Sequence, residues 1–175
     1  MTRWTVHGTR SVYESETVRL ELSEVELPDG ARVDHYVIRV PFDVVSLVVR
    51  DVDRGILLIW RHRFITDRWV WDVPAGKVAP GEAPAAAAAR ATLEETGWQA
   101  GPVRPVGTYH PSPGISDQRF DVFVTDTAEQ VADPNPNEVE RVEWVSVDRV
   151  RQLLRNGDLD GLSLTSLLWV LTAAT

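Results

Sequence analysis

Residues 74–98 read PAGKVAPGEAPAAAAARATLEETGW, and this stretch decides the fold. Its centre is rich in alanine, which favours the helix more than any other residue does. Pro84 suits the first turn of a helix, and Gly97 suits the position just past its end. The stretch therefore predicts a short loop followed by one helix over residues 84–96.

Two adjacent acidic residues near the end of this predicted helix are the first candidates for chemistry. Glu94 and Glu95 follow Arg90 by four and five residues, so Arg90 and Glu94 can meet on the helix surface. Carboxylates bind Mg²⁺ or Mn²⁺, and such a cation neutralises a pyrophosphate and polarises an attacking water. The alternative is a solvated helix face with ion pairs.

The spacing resembles the signature of the Nudix pyrophosphohydrolase family, G-x5-E-x7-R-E-U-x-E-E-x-G-U, where U is a bulky apolar residue. The matching residues are Gly76, Glu82, Arg90, Glu94, Glu95, Gly97 and Trp98. Ala91 stands where the family has a glutamate that is usually a metal ligand, and Thr92 stands where it has an apolar residue. The resemblance implies a mixed α/β (α+β) fold, with a Nudix-type mixed β-sheet sandwiched between helices.

The resemblance also implies a metal site and its ligands. Mg²⁺ or Mn²⁺ is expected at the backbone carbonyl of Ala75 and at the carboxylates of Glu94, Glu95 and Glu138. Arg90 is expected to orient the glutamates. Because Ala91 cannot coordinate a metal, either fewer metals bind or another acid such as Glu82 compensates. We therefore expect lower activity than an intact motif would give.

Flanking segments are most similar to the ADP-ribose pyrophosphatase group within the family. These segments are residues 69–77 (WVWDVPAGK), 109–114 (YHPSPG) and 157–160 (GDLD). In that group a basic strand end meets the substrate phosphates, which implies substrate-binding roles for Arg61 and Arg63. The loop that contains Pro113 and Gly114 is implied to bind substrate as well. On their own, the two arginines could equally be solvated.

The group places acidic residues, including a proposed catalytic base, in the loop before its last core strand. Here that loop is residues 133–138 (DPNPNE), in which Glu138 matches an acidic position and Pro136 stands at another. Glu138 or Glu140 would be a further ligand or the base. Alternatively, these two glutamates alternate on an exposed strand face without a catalytic role.

The remaining chain predicts one structural unit with an N-terminal extension. Residues 17–40 largely alternate apolar and polar side chains around a Pro-Asp-Gly turn, which predicts a β-hairpin. We assign residues 1–40 to this extension and residues 41–175 to the Nudix domain. The ADP-ribose group often pairs through such N-terminal strands, which implies a homodimer, although the hairpin could instead pack on its own domain.

Composition and charge limit the classes of partner. The chain has 175 residues, 43% of them hydrophobic and 25% charged, with a formal net charge of −8 and no cysteine. An acidic chain is a poor match to nucleic acid, which needs a basic surface. The sequence has no apolar run long enough for a membrane helix and no signal-peptide pattern. We therefore expect a cytoplasmic protein whose partner is a small nucleotide diphosphate derivative.

Two functions of different classes follow. The first is divalent-metal-dependent hydrolysis of a nucleoside diphosphate linked to another moiety, such as ADP-ribose, with reduced activity. The second is a catalytically impaired Nudix-fold module that binds nucleotides. A third interpretation keeps the enzyme but changes the substrate, to a nucleoside triphosphate or another nucleotide sugar.

Overall fold

The computed structural model describes residues 2–172, which form two units. One unit comprises the N-terminal segment up to Asp43 together with His110–Arg119, and the other comprises Val44–Tyr109 together with the chain from Phe120 onward. None of the helices among the described residues has the length and apolar character needed to cross a membrane. The division of the chain into domains at residue 40 stays a prediction.

The first unit is a three-stranded antiparallel sheet with the order β1-β2-β3. Its strands are β1 (Thr5–Glu14), β2 (Arg19–Glu26) and β3 (Arg32–Arg39). Strands β2 and β3 form the hairpin predicted over residues 17–40. The sequence did not indicate β1, because all ten of its residues are exposed and no face required apolar side chains. The segment 110–119 joins this unit through Ile38, whose N–H donates to the carbonyl of Ile115 at 2.7 Å.

The second unit contains a mixed sheet whose main path is β12-β5-β4-β10-β9, with β6 paired to β5 and β7 paired to β4. The strands are β4 (Val44–Asp51), β5 (Gly55–Arg63), β6 (Arg68–Asp72), β7 (Ala75–Lys77), β8 (Trp98–Ala100), β9 (Arg104–Tyr109), β10 (Phe120–Thr125), β11 (Ala128–Gln130) and β12 (Arg141–Val145). The helices are α1 (Pro84–Thr96), α2 (Val147–Asn156) and α3 (Gly161–Thr172). Strands β8 and β11 form a separate antiparallel pair.

Both faces of this sheet are covered, as the predicted sandwich requires. On one face Val48 packs in a buried cluster that includes Val150 of α2 and Leu167 of α3. On the other face Leu47 packs in a second cluster with Ala87 of α1. A strand buried on both faces reads as a continuous apolar run, which explains the sequence of β4. The predicted fold class is confirmed.

Helix α1 begins and ends where its sequence indicates. Pro84 occupies the first turn, where its missing N–H removes no helical hydrogen bond. Gly97 has a φ of 74°, and its N–H donates to the carbonyl of Leu93. A side chain at residue 97 would also meet the carbonyl oxygen of Ala132 at 2.1 Å. Glycine is therefore required there both for conformation and for space.

The start of the motif differs from its prediction in one respect. Residues 74–76 were interpreted as a loop, but Ala75–Lys77 forms the short strand β7, which pairs with Val44–Ser46 of β4. This pairing places Gly76 directly against α1. A Cβ atom on Gly76 would lie 2.6 Å from the Cβ of Ala91. The small residue at position 91 thus faces the strand that opens the motif.

We expect Gly76→Ala to destabilise the protein by about 1–3 kcal/mol, the usual cost of overpacking a close contact. Ala91→Gly in the same chain should recover part of this loss, because it removes the methyl group that clashes. Urea unfolding of the two single variants and the double variant measures the coupling. Gly161→Ala is the control, since no atom lies within 4 Å of its added Cβ. If the two substitutions changed the free energy of unfolding additively, residues 76 and 91 would not be in contact.

Candidate active site

Glu95 is the most buried acidic side chain of the motif. It lies in the last turn of α1 and is 4% exposed. Its Oε2 accepts a hydrogen bond from the N–H of Ala75 at 2.9 Å, and its Oε1 accepts one from Arg61. Burial raises the pKa of Glu95, opposed by the charge and hydrogen bond of Arg61 and by the Ala75 N–H, while nearby Glu138 raises it further. The helix end, the motif strand and β5 therefore meet at one carboxylate.

Arg61 and Arg63, predicted to bind substrate, both lie on β5; Arg61 contacts Glu95, and both arginines contact Asp72. Arg61 is 12% exposed, and its Nε lies 3.6 Å from Asp72 Oδ2. The Nε of Arg63 donates to the same oxygen at 3.0 Å and lies 3.6 Å from Asp160 Oδ2. Arg63 is 36% exposed, so it is the more accessible of the two arginines. The structure thus gathers two guanidinium groups and two buried carboxylates.

Arg90 connects the loop before α1 to Glu94. Its Nε and Nη2 donate to the two carboxylate oxygens of Glu82 at 2.8 Å each, and its Nη1 donates to Glu94 at 2.8 Å. Nη2 also donates to the carbonyl of Lys77 at 3.0 Å. Arg90 therefore contacts Glu94 but not Glu95, and its orienting role toward the site stays a prediction. Glu82, the candidate to replace the missing ligand, is held by two of the three guanidinium nitrogens of Arg90.

Acidification is expected to weaken the Glu82–Arg90 contact. The hydrogen bonds from Arg90 and from the Ala79 N–H lower the pKa of Glu82 from 4.5 to about 2. A carboxylate with a lower pKa in the folded chain contributes stability above its unfolded pKa and loses it as pH falls through the folded pKa. Glu82→Gln should therefore lower the melting temperature at pH 7, with the difference shrinking between pH 4.5 and pH 2. Thermal unfolding by circular dichroism across pH measures this, and a pH-independent difference would contradict it.

Asn135 organises the loop that carries Glu138. Its N–H donates to the backbone carbonyl of Glu95 at 3.3 Å, and its side-chain Nδ2 donates to Glu138 Oε1 at 3.2 Å. Its Oδ1 accepts from the N–H of Asn137 at 3.0 Å. Glu138 is exposed, so its carboxylate is open to water beside the end of α1. Pro136 lies at the exposed turn of the same loop.

The remaining predicted substrate-binding residues, Pro113 and Gly114, belong to the first unit. The carbonyl of Gly114 contacts the Nε2 of His35 at 2.8 Å. Their contact with substrate stays a prediction.

Sequence reasoning missed three residues that hold this site together: Asp72, Asn135 and Ser163. Asp72 is 1% exposed and is the last residue of β6, directly after Trp69-Val70-Trp71. An acidic residue at the end of this apolar run, just before the motif, was the available signal. Asn135 and Ser163 gave none, because asparagine in a turn and serine near a helix start are common for local reasons.

The site offers oxygen donors, the kind that a divalent cation prefers, but only a few of them. Among residues 2–172 no group of three or more histidine, aspartate or glutamate side chains is arranged to hold a metal. Ala91 supplies no donor, and Glu94 is paired with Arg90. Glu138 is an exposed hard oxygen donor, and Glu95 would hold a cation in exchange for its contacts with Arg61 and the Ala75 N–H. Mg²⁺ is commonly held by one or two carboxylates together with substrate phosphates, so these residues fit a cation that binds with its substrate.

Comparison with known proteins gives a consistent result. The NUDIX domain family model matches residues 40–165. A "CMP-5'-(N-acetyl-N-hydroxy-3-aminopropyl)phosphonate hydrolase" of Streptomyces rubellomurinus is 37% identical over 89% of this chain and 75% of its own length. An ADP-ribose pyrophosphatase of Bacillus subtilis is 30% identical over 66% of this chain and 62% of its own. A crystal structure of an ADP compounds hydrolase superposes with a TM-score of 0.84 at 20% identity, covering 98% of this chain and 94% of that one.

Proposed function

The chain belongs to the Nudix family and is a pyrophosphohydrolase of that family, and from this premise we propose its reaction. The substrate is a nucleoside 5′-phosphate joined through a bridging oxygen to a second phosphorus group, as in ADP-ribose. Water cleaves the bridge and releases a nucleoside monophosphate. Glu95 and its neighbours would hold a divalent cation together with the substrate phosphates.

One observation supports this proposal above the others: the buried carboxylate of Glu95, at the end of the motif helix, pairs with Arg61, and Arg61 shares Asp72 with the more accessible Arg63. A pyrophosphate carries several negative charges that repel a nucleophile, so a site for it needs cationic groups. Arg63 is accessible enough to bind phosphate oxygens with two parallel N–H donors. Arg61 is held by Glu95 and keeps that buried carboxylate partly neutralised before substrate binds.

Each residue of the site has its own role in this proposed reaction. Arg63 binds and orients the phosphates. Glu138, exposed and held by Asn135, accepts the proton of the water whose oxygen attacks phosphorus, and the bond from phosphorus to the bridging oxygen breaks. Glu95, Glu94 and the Ala75 carbonyl would hold Mg²⁺ or Mn²⁺, Glu94 after releasing Arg90, while Glu138 stays free to act as the base. When bound, the cation supplies charge neutralisation and a more acidic water.

Two substrate classes have support from relatives. One relative named ADP-ribose pyrophosphatase and one solved structure of an ADP compounds hydrolase favour ADP-ribose or another ADP compound. The relative with 37% identity is named for a CMP-phosphonate. Both classes share a nucleoside 5′-phosphoryl group bridged by oxygen to another phosphorus. We therefore propose this linkage as the feature that is recognised, with ADP-ribose as the first substrate to test.

Activity below that of an intact motif is part of the proposal, because Ala91 removes one carboxylate from the site. The competing function is a nucleotide-binding module without turnover. The same missing carboxylate favours that alternative, whereas the ordered contacts at Glu95 and Glu138 favour catalysis.

The deciding experiment incubates the protein with ADP-ribose, a CMP-linked phosphonate and a nucleoside triphosphate, each with Mg²⁺ or Mn²⁺. Release of AMP or CMP, detected by chromatography, supports hydrolysis and ranks the substrate classes. Binding of ADP-ribose in calorimetry without any nucleoside monophosphate supports the module instead. Equal rates with and without EDTA would contradict assistance by a divalent cation.

We also propose that the chain forms a homodimer. Strand β1 is ten residues long, lies at the edge of its sheet and is exposed throughout. A long exposed edge presents unpaired backbone groups that can add a strand from another chain. Sedimentation equilibrium tests this proposal, and a monomer at high micromolar concentration would exclude it.

A further inference from the structure

Asp72 is a buried carboxylate without a role in the proposed reaction, although it contacts the arginines of the site. Its Oδ2 accepts a hydrogen bond from Arg63 Nε at 3.0 Å and lies 3.6 Å from Arg61 Nε. A buried carboxylate is costly unless it is paired and hydrogen-bonded. Both conditions are met here by groups of the site itself.

Ser163 fixes the orientation of this carboxylate. It is fully buried in the first turn of α3. Its hydroxyl donates to Asp72 Oδ1 at 2.7 Å and accepts a hydrogen bond from the N–H of Val73 at 3.0 Å. The serine therefore occupies one oxygen of Asp72 and leaves the other, Oδ2, directed at both guanidinium groups.

This division matters because the two arginines carry like charges on the same face of β5. Glu95 pairs with Arg61 and Asp160 lies near Arg63, but Asp72 is the carboxylate that contacts both guanidinium groups. Asp72 offsets the repulsion between the two guanidinium groups on their buried side. The Arg63 side chain still keeps an exposed fraction of 36%. A guanidinium fork held on one side can bind a phosphate with less loss of side-chain entropy.

We propose that Asp72, oriented by Ser163, is the positioning residue that fixes Arg63 and Arg61 for phosphate binding. The proposal rests on the proposed function, because it assigns a role to the same site. Neither residue touches the substrate. Their effect acts through the arginines and is expressed in substrate affinity.

The test compares Asp72→Asn and Ser163→Ala with the natural protein. We expect each to raise the KM for ADP-ribose and weaken binding of inorganic pyrophosphate by about tenfold or less, with a smaller change in kcat. Ser166→Ala is the matched control. Ser166 is also a buried serine of α3, but its hydroxyl lies 2.9 Å from that of Ser46. It should change neither KM nor pyrophosphate affinity.

A double-variant cycle separates positioning from general destabilisation. If Asp72 acts through Arg63, Asp72→Asn should raise KM no further in a chain that already carries Arg63→Ala. If Asp72 had a purely structural role, Asp72→Asn would lower the free energy of unfolding equally with and without Arg63→Ala. Its effect on KM would then persist in the chain that carries Arg63→Ala. If Asp72→Asn does not fold, Ser163→Ala in the same two backgrounds provides the comparison.

The outcomes for the two proposals are distinguishable. A natural protein that binds pyrophosphate but turns over no nucleotide overturns the proposed function, while the pyrophosphate affinities of the variants still decide the positioning role. Unchanged KM and unchanged pyrophosphate affinity in Asp72→Asn and Ser163→Ala overturn the positioning role. Failure of the natural protein to bind pyrophosphate or any nucleotide overturns both.

Discussion

Glu95→Gln is expected to lower kcat for ADP-ribose by about 10²- to 10³-fold. Stabilisation of transition-state charge by a bound cation is worth several kcal/mol, and about 1.4 kcal/mol corresponds to a factor of ten. Glu95 is the buried carboxylate on which the Ala75 N–H and Arg61 converge. The amide has almost the same shape but no charge with which to hold a cation.

Initial rates with Mg²⁺ and with Mn²⁺ measure this effect, and circular dichroism confirms that the variant folds. Glu143→Gln is the control, because Glu143 is a partly exposed glutamate that is paired with Arg141 on β12. It should keep the activity of the natural protein. If Glu95→Gln retained more than about a tenth of kcat, the reaction could not depend on this carboxylate.

Most of the fold was predictable because its signals are local. The helix over residues 84–96 follows from alanine content, a first-turn proline and a terminal glycine, and its observed bounds are Pro84–Thr96. The central strand β4 follows from an apolar run buried on both faces. Strand β1 carries no such signal because it has no buried face, and its place depends on pairing with β2.

The site was predictable only in its acidic and basic members. Motif spacing identified Glu95, and the basic strand end identified Arg61, yet their direct contact spans 34 residues of sequence. No local pattern reports an ion pair between a helix end and a distant strand. Asp72 and Ser163 are 91 residues apart, and only folding of α3 onto the sheet brings them together.

The arginines illustrate how burial changes the interpretation of a charge. From the sequence, Arg61 and Arg63 were equivalent candidates for phosphate binding. In the structure Arg61 is 12% exposed and paired with Glu95, whereas Arg63 is 36% exposed. Arg61 and Arg63 are two residues apart on β5, so both side chains lie on the same face of the strand. Neighbouring elements cover Arg61 more than Arg63. This difference in accessibility is why we propose Arg63 as the main phosphate contact, a role that stays a prediction.

Ala91→Glu is expected to raise kcat by about tenfold or more, because it restores a carboxylate one helical turn before Glu95. The added side chain must leave the contact between Ala91 and Gly76, where residue 91 is 3% exposed. We therefore expect a loss of about 1–3 kcal/mol in the free energy of unfolding, typical of overpacking. Activity and stability should change in opposite directions, as is common when a site gains function.

Two measurements separate the gain of a ligand from the change of shape. Ala91→Gln introduces almost the same volume without charge, so it should lose stability but gain no activity. Binding of Mn²⁺ in the presence of AMP, followed by electron paramagnetic resonance, should tighten in Ala91→Glu and not in Ala91→Gln. If the natural protein and Ala91→Glu had nearly equal turnover, the missing glutamate would not limit this enzyme. The carboxylate of Glu95 and the carbonyl of Ala75, completed by substrate phosphates, would then be sufficient to hold the cation.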